Sequence, residues 1–163
     1  MQILQNDYEL NIALVLVGSD KGNLGYVKSM AQKLKLSEYV HFLGFVPQED
    51  MVPLYRQAFA LIYMTFFGPD NLPPLEAMSL GCPVIASNVS GANEQLGNAS
   101  LIVDHRDPQE IASAIKLLFD DPVLRDSLIK GGLIRANGWK ADDYAKEIFT
   151  LIDGFKSIRC CWD

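Results

Sequence analysis

Cysteine is scarce in this chain, and no run of apolar residues is long enough to cross a membrane. The three cysteines are Cys82 and the adjacent pair Cys160–Cys161, an odd count without the spacing of zinc ligands. We therefore expect neither a disulfide framework nor a metal site. The opening residues, MQILQNDYELN, lack the basic and apolar stretches of a signal peptide, which favours a reducing, cytoplasmic setting.

Positive charge is also limited. The chain has 14 Lys and Arg residues against 20 Asp and Glu residues, a net charge of -6, and no cluster of basic residues. This balance argues against non-specific binding of nucleic acid. With 49% hydrophobic and 21% charged residues, the composition is that of an ordinary globular protein. A chain of 163 residues can bury a sizeable core, so we expect residues 1–163 to form a single domain.

Short apolar runs alternate with segments of helical periodicity. The runs predict five strands, within IALVLV (12–17), YVHFLGFV (39–46), FALIYM (59–64), PVIAS (83–87) and ASLIVD (99–104). Helices are predicted between these strands, and three more follow Asp107, the second of them broken near the pair Gly131–Gly132. Strands that are apolar throughout and alternate with helices indicate an α/β fold: a Rossmann-like, doubly wound, mostly parallel sheet with helices on both faces.

In such a sheet, ligands bind beyond the carboxyl ends of the strands, where the strand order switches. The loops at those ends are rich in Gly, Asn, Ser and Pro, so main-chain N–H groups can approach a ligand closely; they are GSDKGN, GFVPQED, TFFGPDN and SNVSGAN. The most informative loop is the one that precedes Pro73. It leads into a predicted helix near residues 73–80, and this helix carries Glu76.

Two interpretations of this helix start remain open. Asn71 and Leu72 at its N-terminus would present N–H groups and the positive end of the helix dipole to an anion such as a diphosphate. Glu76, one turn further on, could then accept hydrogen bonds from ribose hydroxyls. Alternatively, Asp70 and Asn71 are simple helix caps and Glu76 is a surface acid that stabilises the dipole.

The segment NLPPLEAMSLGCPVIASNVSGANEQLGNASLIVDHRDPQEIASAI resembles the C-terminal, donor-binding domain of the retaining glycosyltransferases of the GT-B fold. The similarity is to the family that includes the glycosyl transferase group 1 mannosyl- and glucosyltransferases. LVLVGSDKG, VHFLGFVPQEDMVPLYRQA and NGWKADDYAKEIFTLI extend it from residue 12 to about residue 153. The resemblance implies one half of a GT-B fold.

The resemblance also implies roles for individual residues. Glu76 matches the second Glu of the E-x7-E motif, which holds the nucleotide ribose. Asn71 and Leu72 match main-chain positions that meet the donor diphosphate. The other implied donor-binding positions are the base-framing loop at Val46 and Pro47, and Gly18 and Lys21 in the loop after the first strand. Lys21 has a competing interpretation as a solvated turn lysine.

The sequence departs from the family pattern at two places. The first Glu of E-x7-E is replaced by Gly68, and the nearest acid, Asp70, lies two positions away. Asp70 is therefore the candidate catalytic residue that contacts the donor sugar. The family's first donor-domain strand, which ends in Gly-Arg and is followed by a Lys, does not precede residue 12. MQILQNDYELN is typical of the end of a helix leading into a strand, so we interpret the chain as a piece of a longer protein that lacks this strand and the N-terminal acceptor domain.

The resemblance implies retaining transfer of a hexose from a UDP- or GDP-hexose to an acceptor glycan or lipid, which binds through the N-terminal domain. It implies no cofactor and no metal, no nucleic-acid partner, and a longer enzyme that is cytoplasmic or associated with a membrane. The isolated domain is expected to lack transferase activity. Two alternatives stay open: a non-catalytic module that binds a nucleotide sugar or a partner subunit, which Gly68 and the lack of a basic front segment favour, and a sugar-nucleotide epimerase of the same fold.

Overall fold

The computed structural model describes residues 1–67, 71–138 and 141–159. Within these ranges the strands are β1 (Leu14–Val17), β2 (Val40–Gly44), β3 (Leu61–Tyr63), β4 (Val84–Ser87) and β5 (Leu101–Val103). The helices are α1 (Gln2–Asn6), α2 (Leu24–Lys33), α3 (Gln48–Gln57), α4 (Leu72–Ser79), α5 (Ala92–Leu96), α6 (Pro108–Asp120), α7 (Pro122–Asn137) and α8 (Ala141–Arg159), with a 3₁₀ helix at Gly97–Ala99. None of the described helices is both long and apolar enough to span a bilayer.

All strand pairs are parallel, as the alternation of strands and helices predicted. β1 pairs with β2, with Leu14 opposite Val40, and β4 lies between β3 and β5. The predicted Rossmann-like α/β architecture is confirmed. The described strands form two sheets, one of two strands and one of three, because β1 and β3 do not pair with each other.

The strand β4 is the centre of the core. It is hydrogen-bonded on both edges, and all four of its residues are buried. Val84 packs with Met78 and Leu96 in one apolar cluster, whereas the next residue, Ile85, packs with Leu118 in another cluster on the opposite face. Because side chains alternate across a strand, β4 joins the two helical layers. Each such buried aliphatic side chain stabilises the fold by about 1.5–3 kcal/mol.

The two-stranded sheet is less covered. Leu14 and Leu16 face a small cluster that contains Val40, whereas Val15 and Val17 on the other face are 44% and 41% exposed. Among the described residues, this sheet is therefore packed on one face more than the other. Its carboxyl end carries the predicted site residues Gly18, Val46 and Pro47, so these residues lie beside an open surface.

The helices after β5 start where the sequence predicted. Asp107 precedes α6, and its carboxylate accepts the N–H groups of Gln109 and Glu110. Asp121 caps α7 in the same way by accepting the N–H of Leu124 at 2.8 Å. A side-chain oxygen that satisfies these N–H groups stabilises a helix by about 1 kcal/mol.

The predicted break at the glycine pair is wrong. The helix α7 runs without interruption through Gly131 and Gly132. The glycines permit close packing instead: a Cβ on Gly132 would lie 3.0 Å from Cγ and 3.2 Å from Cβ of Met78, a residue of α4 that is 1% exposed. A Cβ on Gly131 would meet Cβ and Cα of Ala99 at 3.5 and 3.7 Å, which are ordinary contacts. Gly132 therefore lets α7 approach the helix that carries Glu76.

We predict opposite effects for the two glycines. Gly131→Ala should raise the free energy of unfolding by up to about 1 kcal/mol, because alanine favours a helix interior. Gly132→Ala gains the same propensity but crowds Met78, which costs about 1–3 kcal/mol. It should therefore be less stable than Gly131→Ala by about 1–3 kcal/mol in urea denaturation followed by circular dichroism. Equal stability of the two variants would show that the α4–α7 contact is not tight.

Candidate functional site

The residue that precedes α4 is held by side chains of β3 and α5. Asn71 precedes the helix and is 6% exposed; its side-chain oxygen accepts the hydroxyl of Tyr63 at 3.3 Å, and its carbonyl accepts Nε2 of Gln95 at 3.0 Å. The side chain of Asn71 makes no capping hydrogen bond to α4. The predicted location of Asn71 and Leu72 at the start of this helix is confirmed, although the helix begins at Leu72, one residue before the predicted start.

Few N–H groups are left at this helix end. Pro73 and Pro74 occupy the second and third helical positions and have no N–H, so of the first three helical residues only Leu72 has a main-chain donor. The N–H of Leu72, at the first helical position, has no acceptor within the helix. Leu72 is 57% exposed. The start of the helix therefore carries a main-chain donor without an intrahelical acceptor at the positive end of the helix dipole, on a residue that is mostly exposed.

Glu76 lies one turn into α4 and is exposed. Its Oε2 accepts the hydroxyl of Tyr55, a residue of α3 that is 8% exposed, at 3.3 Å. Desolvation and the neighbouring Glu76 charge raise the pKa of Tyr55 to about 12, so its hydroxyl is a proton donor at neutral pH. The contact fixes one carboxylate oxygen of Glu76. The sequence analysis did not identify Tyr55, whose one signal was a tyrosine on the apolar side of a predicted helix.

Ser87 ties the loop after β3 to the end of β4. Its hydroxyl donates to the carbonyl of Thr65 at 2.8 Å and accepts the N–H of Thr65 at 3.1 Å. Ser87 is 1% exposed, so this double contact lies in the interior. It sets the point from which the chain leaves β3 toward Asn71. The loop residues Gly68 and Asp70, and with Asp70 the predicted catalytic carboxylate, lie outside the described residues.

The loop after β1 satisfies its own donors. One oxygen of Asp20 accepts the N–H groups of Gly22, Asn23 and Leu24 at 2.7, 3.0 and 3.2 Å. The hydrogen bonds from Gly22 and Leu24 are the main contacts that lower the pKa of Asp20. A carboxylate thus already occupies the N-terminus of α2, where a phosphate would otherwise bind. Lys21 in the same loop is exposed, which agrees with a solvated turn lysine.

Gly18 lies where β1 ends. Its N–H donates to the carbonyl of Gly44 at 2.8 Å, and its φ of +139° is one that residues other than glycine rarely adopt. A Cβ at Gly18 would meet no atom within 4 Å. The backbone at this position therefore faces open space that a ligand could approach closely.

Val46 and Pro47 lie in a wide apolar groove. The groove has a volume of about 430 Å³ and is lined by Leu43, Phe45, Val46, Pro47, Asp50, Pro53, Leu54 and Gln57. Phe45 is 79% exposed and Leu43 is 49% exposed. Pro47 immediately precedes α3. The structure thus brings the predicted base-framing residues together with two apolar side chains, Leu43 and Phe45, that the sequence analysis did not single out.

The helix α3 connects this groove with Glu76. It begins after Pro47, and Tyr55, which contacts Glu76, is eight residues further along, a rise of about 12 Å. α3 is also the crossover from β2 to β3, and thus from one sheet to the other. The predicted residues therefore form two groups. Asn71, Leu72 and Glu76 are on or next to α4, Val46 and Pro47 are at the start of α3, and the Tyr55–Glu76 hydrogen bond links the groups.

Comparison with known proteins identifies relatives of matching architecture. The family model for glycosyl transferases group 1 matches residues 1–134. O-antigen chain mannosyltransferase B of Escherichia coli is 31% identical over 135 residues, which are 83% of this chain and 35% of that protein. D-inositol 3-phosphate glycosyltransferase of Acidothermus cellulolyticus is 30% identical over 144 residues, 85% of this chain and 32% of that protein. The chain thus spans about a third of the length of these curated relatives.

Solved structures have the same fold. Sucrose-phosphate synthase from Thermosynechococcus elongatus superposes with a TM-score of 0.76 at 27% identity, covering 89% of this chain and 39% of that one. Anabaena HepE, solved in complex with UDP-glucose, superposes with a TM-score of 0.75 at 22% identity, covering 87% and 41%. With parallel strands, helices on both sides and these similarities, the chain belongs to the glycosyl transferases group 1 family and has a Rossmann-like half of the GT-B fold.

Proposed function

We propose that the chain is the donor-binding domain of a glycosyltransferase and binds a nucleotide diphosphate sugar. The observation that carries the proposal is the exposed Glu76 carboxylate, held by Tyr55 one turn beyond a helix N-terminus to which the Asn71 side chain makes no capping hydrogen bond. A nucleoside diphosphate requires an acceptor for hydrogen bonds from its ribose hydroxyls and, nearby, a hydrogen-bond donor to its phosphates. The names of the curated relatives, a mannosyltransferase and a glycosyltransferase, support the same class of reaction.

The diphosphate is assigned to the start of α4. The N–H of Leu72 has no acceptor within the helix and lies at the positive end of the helix dipole, an arrangement that favours an anion. The rigid φ angles of Pro73 and Pro74 keep the ordering cost of this turn low when the ligand binds. Asn71 supplies the neighbouring main-chain position.

The ribose is assigned to Glu76. A carboxylate oxygen can accept more than one hydrogen bond, so Glu76 can hold ribose hydroxyls while Oε2 keeps its contact with Tyr55. From Leu72 to Glu76 the helix rises by about 6 Å. This separation limits the electrostatic repulsion between the Glu76 carboxylate and the diphosphate.

The base is assigned to the groove at Val46 and Pro47. Its apolar lining suits the face of a planar base, and main-chain atoms of the loop can meet the base edge. Gly18, at the end of the neighbouring strand, leaves space for the donor to approach. Lys21 is the cation that we assign to this side of the donor, as a long-range rather than a contacting charge.

For the longer protein, we propose retaining transfer of a hexose to an acceptor glycan or lipid. The acceptor hydroxyl oxygen bonds to the anomeric carbon on the same face of the sugar, and its proton passes to the leaving diphosphate. The bond between the anomeric carbon and the diphosphate oxygen breaks, and its electron pair leaves with the diphosphate. The leaving diphosphate then gains negative charge, which the start of α4 stabilises. Asp70 is proposed to contact the donor sugar.

We also propose that the rest of the longer protein contributes the acceptor-binding domain and one strand between β1 and β3. Support comes from burial: β4, paired on both edges, is wholly buried, whereas the equally apolar β3, with one described partner, is half-buried along its length. Natural edge strands usually carry charge or proline, and β1 and β3 carry neither.

The Glu76 assignment predicts loss of nucleotide binding on substitution. Titration calorimetry of the chain with UDP and with GDP should detect binding of at least one nucleotide, and Glu76→Ala should weaken it by at least about 10-fold because charge-assisted hydrogen bonds to the ribose are lost. Asp126→Ala, which removes an exposed acid on α7, is the matched control and should bind as the wild type does. Equal affinity of wild type and Glu76→Ala would refute the assignment.

Removal of the Tyr55 hydroxyl should have a smaller effect in the same direction. Tyr55→Phe keeps the buried ring but frees the carboxylate of Glu76, so we expect nucleotide affinity to fall by about 3- to 10-fold, less than in Glu76→Ala. Tyr26→Phe changes an exposed tyrosine (65% exposed) and serves as the control. If Tyr55→Phe and Tyr26→Phe bind the nucleotide equally well, Tyr55 does not orient Glu76.

A further inference from the structure

A chain of three contacts runs from α7 through α5 to the start of α4. Arg135 of α7 donates from Nε to the carbonyl of Gln95 at 2.8 Å, and its terminal nitrogen donates to the carbonyl of Glu94. The side-chain Nε2 of Gln95 then donates to the carbonyl of Asn71 at 3.0 Å. These residues are far apart in sequence, so the contacts depend on the folded arrangement of three helices.

The first contact fixes α5. This helix has only five residues, Ala92–Leu96, too few to be stable alone. Carbonyl groups in the last turn of a helix lack intrahelical donors, and a guanidinium satisfies them well because of its planar fork of N–H groups. By holding Glu94 and Gln95, Arg135 fixes the position from which the Gln95 side chain extends.

The contact between Gln95 and Asn71 fixes the direction of one N–H group. A trans peptide is planar, and its C=O and N–H point in opposite directions. The carbonyl of Asn71 and the N–H of Leu72 belong to the same peptide. Because Gln95 binds that carbonyl, the N–H of Leu72 points in the opposite direction, away from Gln95 and toward the N-terminal end of α4.

We propose that Gln95 and Arg135 are positioning residues for the donor diphosphate, which orient the Leu72 N–H through the Asn71 carbonyl. The proposal rests on the proposed function, since it requires that the start of α4 bind the diphosphate. It predicts that loss of the contacts among Arg135, Gln95 and Asn71 weakens binding of the diphosphate and leaves binding of the nucleoside unchanged.

The test compares UDP with uridine, or GDP with guanosine if the chain takes guanine. Gln95→Glu is isosteric, but it replaces the amide donor with an acceptor whose negative charge repels both the Asn71 carbonyl and a diphosphate. The expected pattern must therefore also appear in Gln95→Met, which removes the donor without adding charge. We expect the dissociation constant for the diphosphate to rise by about 10-fold and that for the nucleoside to change by less than 2-fold, as measured by ligand-observed NMR. Gln95→Ala and Arg135→Ala should change the same ratio by smaller factors. Asn93→Ala, an exposed neighbour on α5, is the control.

A second readout follows the amide of Leu72 directly. In the wild type, addition of the diphosphate should shift the Leu72 amide resonance in a ¹⁵N spectrum, and in Gln95→Glu this shift should shrink to less than half. An unchanged ratio of the two dissociation constants in the Gln95 variants would overturn the proposal. Equal weakening of diphosphate and nucleoside binding, together with a lower unfolding midpoint, would also overturn it, because Gln95 would then serve only the stability of the fold. Failure of the wild type to bind UDP or GDP would instead overturn the proposed function itself.

Discussion

The arrangement of the site depends on the burial of β4. This strand is paired on both edges and packed on both faces, and it ends at Ser87, whose hydroxyl binds the main chain of Thr65 twice. Because Ser87 is fixed by the strand, the exit of the chain from β3 is fixed too. Asn71 and the start of α4 are in turn held by Tyr63 of β3 and by Gln95, so the packing of the core contributes to their position.

Some helix N-termini in the described residues are satisfied by a carboxylate, whereas those of α1, α3, α4 and α5 have no side-chain cap. Those of α2, α6 and α7 are satisfied by the carboxylates of Asp20, Asp107 and Asp121. At α4 the residue before the helix is an asparagine, a favourable cap, yet its side chain is bound by Tyr63 and makes no capping hydrogen bond. A lost cap costs about 1 kcal/mol of stability. Because α3 and α5 also lack a side-chain cap, the missing cap alone does not distinguish α4; the exposed Glu76 one turn further on, bound by Tyr55, does.

The sequence was informative where the signal was local. All five strands, the Asp107 cap and the place of Asn71, Leu72 and Glu76 at the start of α4 follow from runs, caps and prolines within a few residues of one another. Tyr55, Gln95 and Arg135 could not be found this way, because their partners are 21 to 41 positions away. The predicted break at the glycine pair was wrong for the same reason. The low helix propensity of glycine is a local signal, whereas the close packing of Gly132 against Met78 depends on a helix distant in sequence. The division into two sheets likewise depends on which edges meet.

The charge of the chain restricts how it can hold a nucleotide. At a net charge of -6, the protein as a whole repels a diphosphate, so its general field does not draw the ligand in. Apart from Lys21, which we assign as a long-range charge, the donors that we propose for the diphosphate are short-range and carry no net charge, and a main-chain N–H at a helix end is such a donor. Such a donor acts only over hydrogen-bond distance, so its direction matters more than that of a lysine, which attracts over several ångströms. An acidic chain that binds an anion through one or two main-chain N–H groups therefore has to orient their peptide planes, and Gln95 beneath the Asn71 carbonyl is placed where that orientation is set.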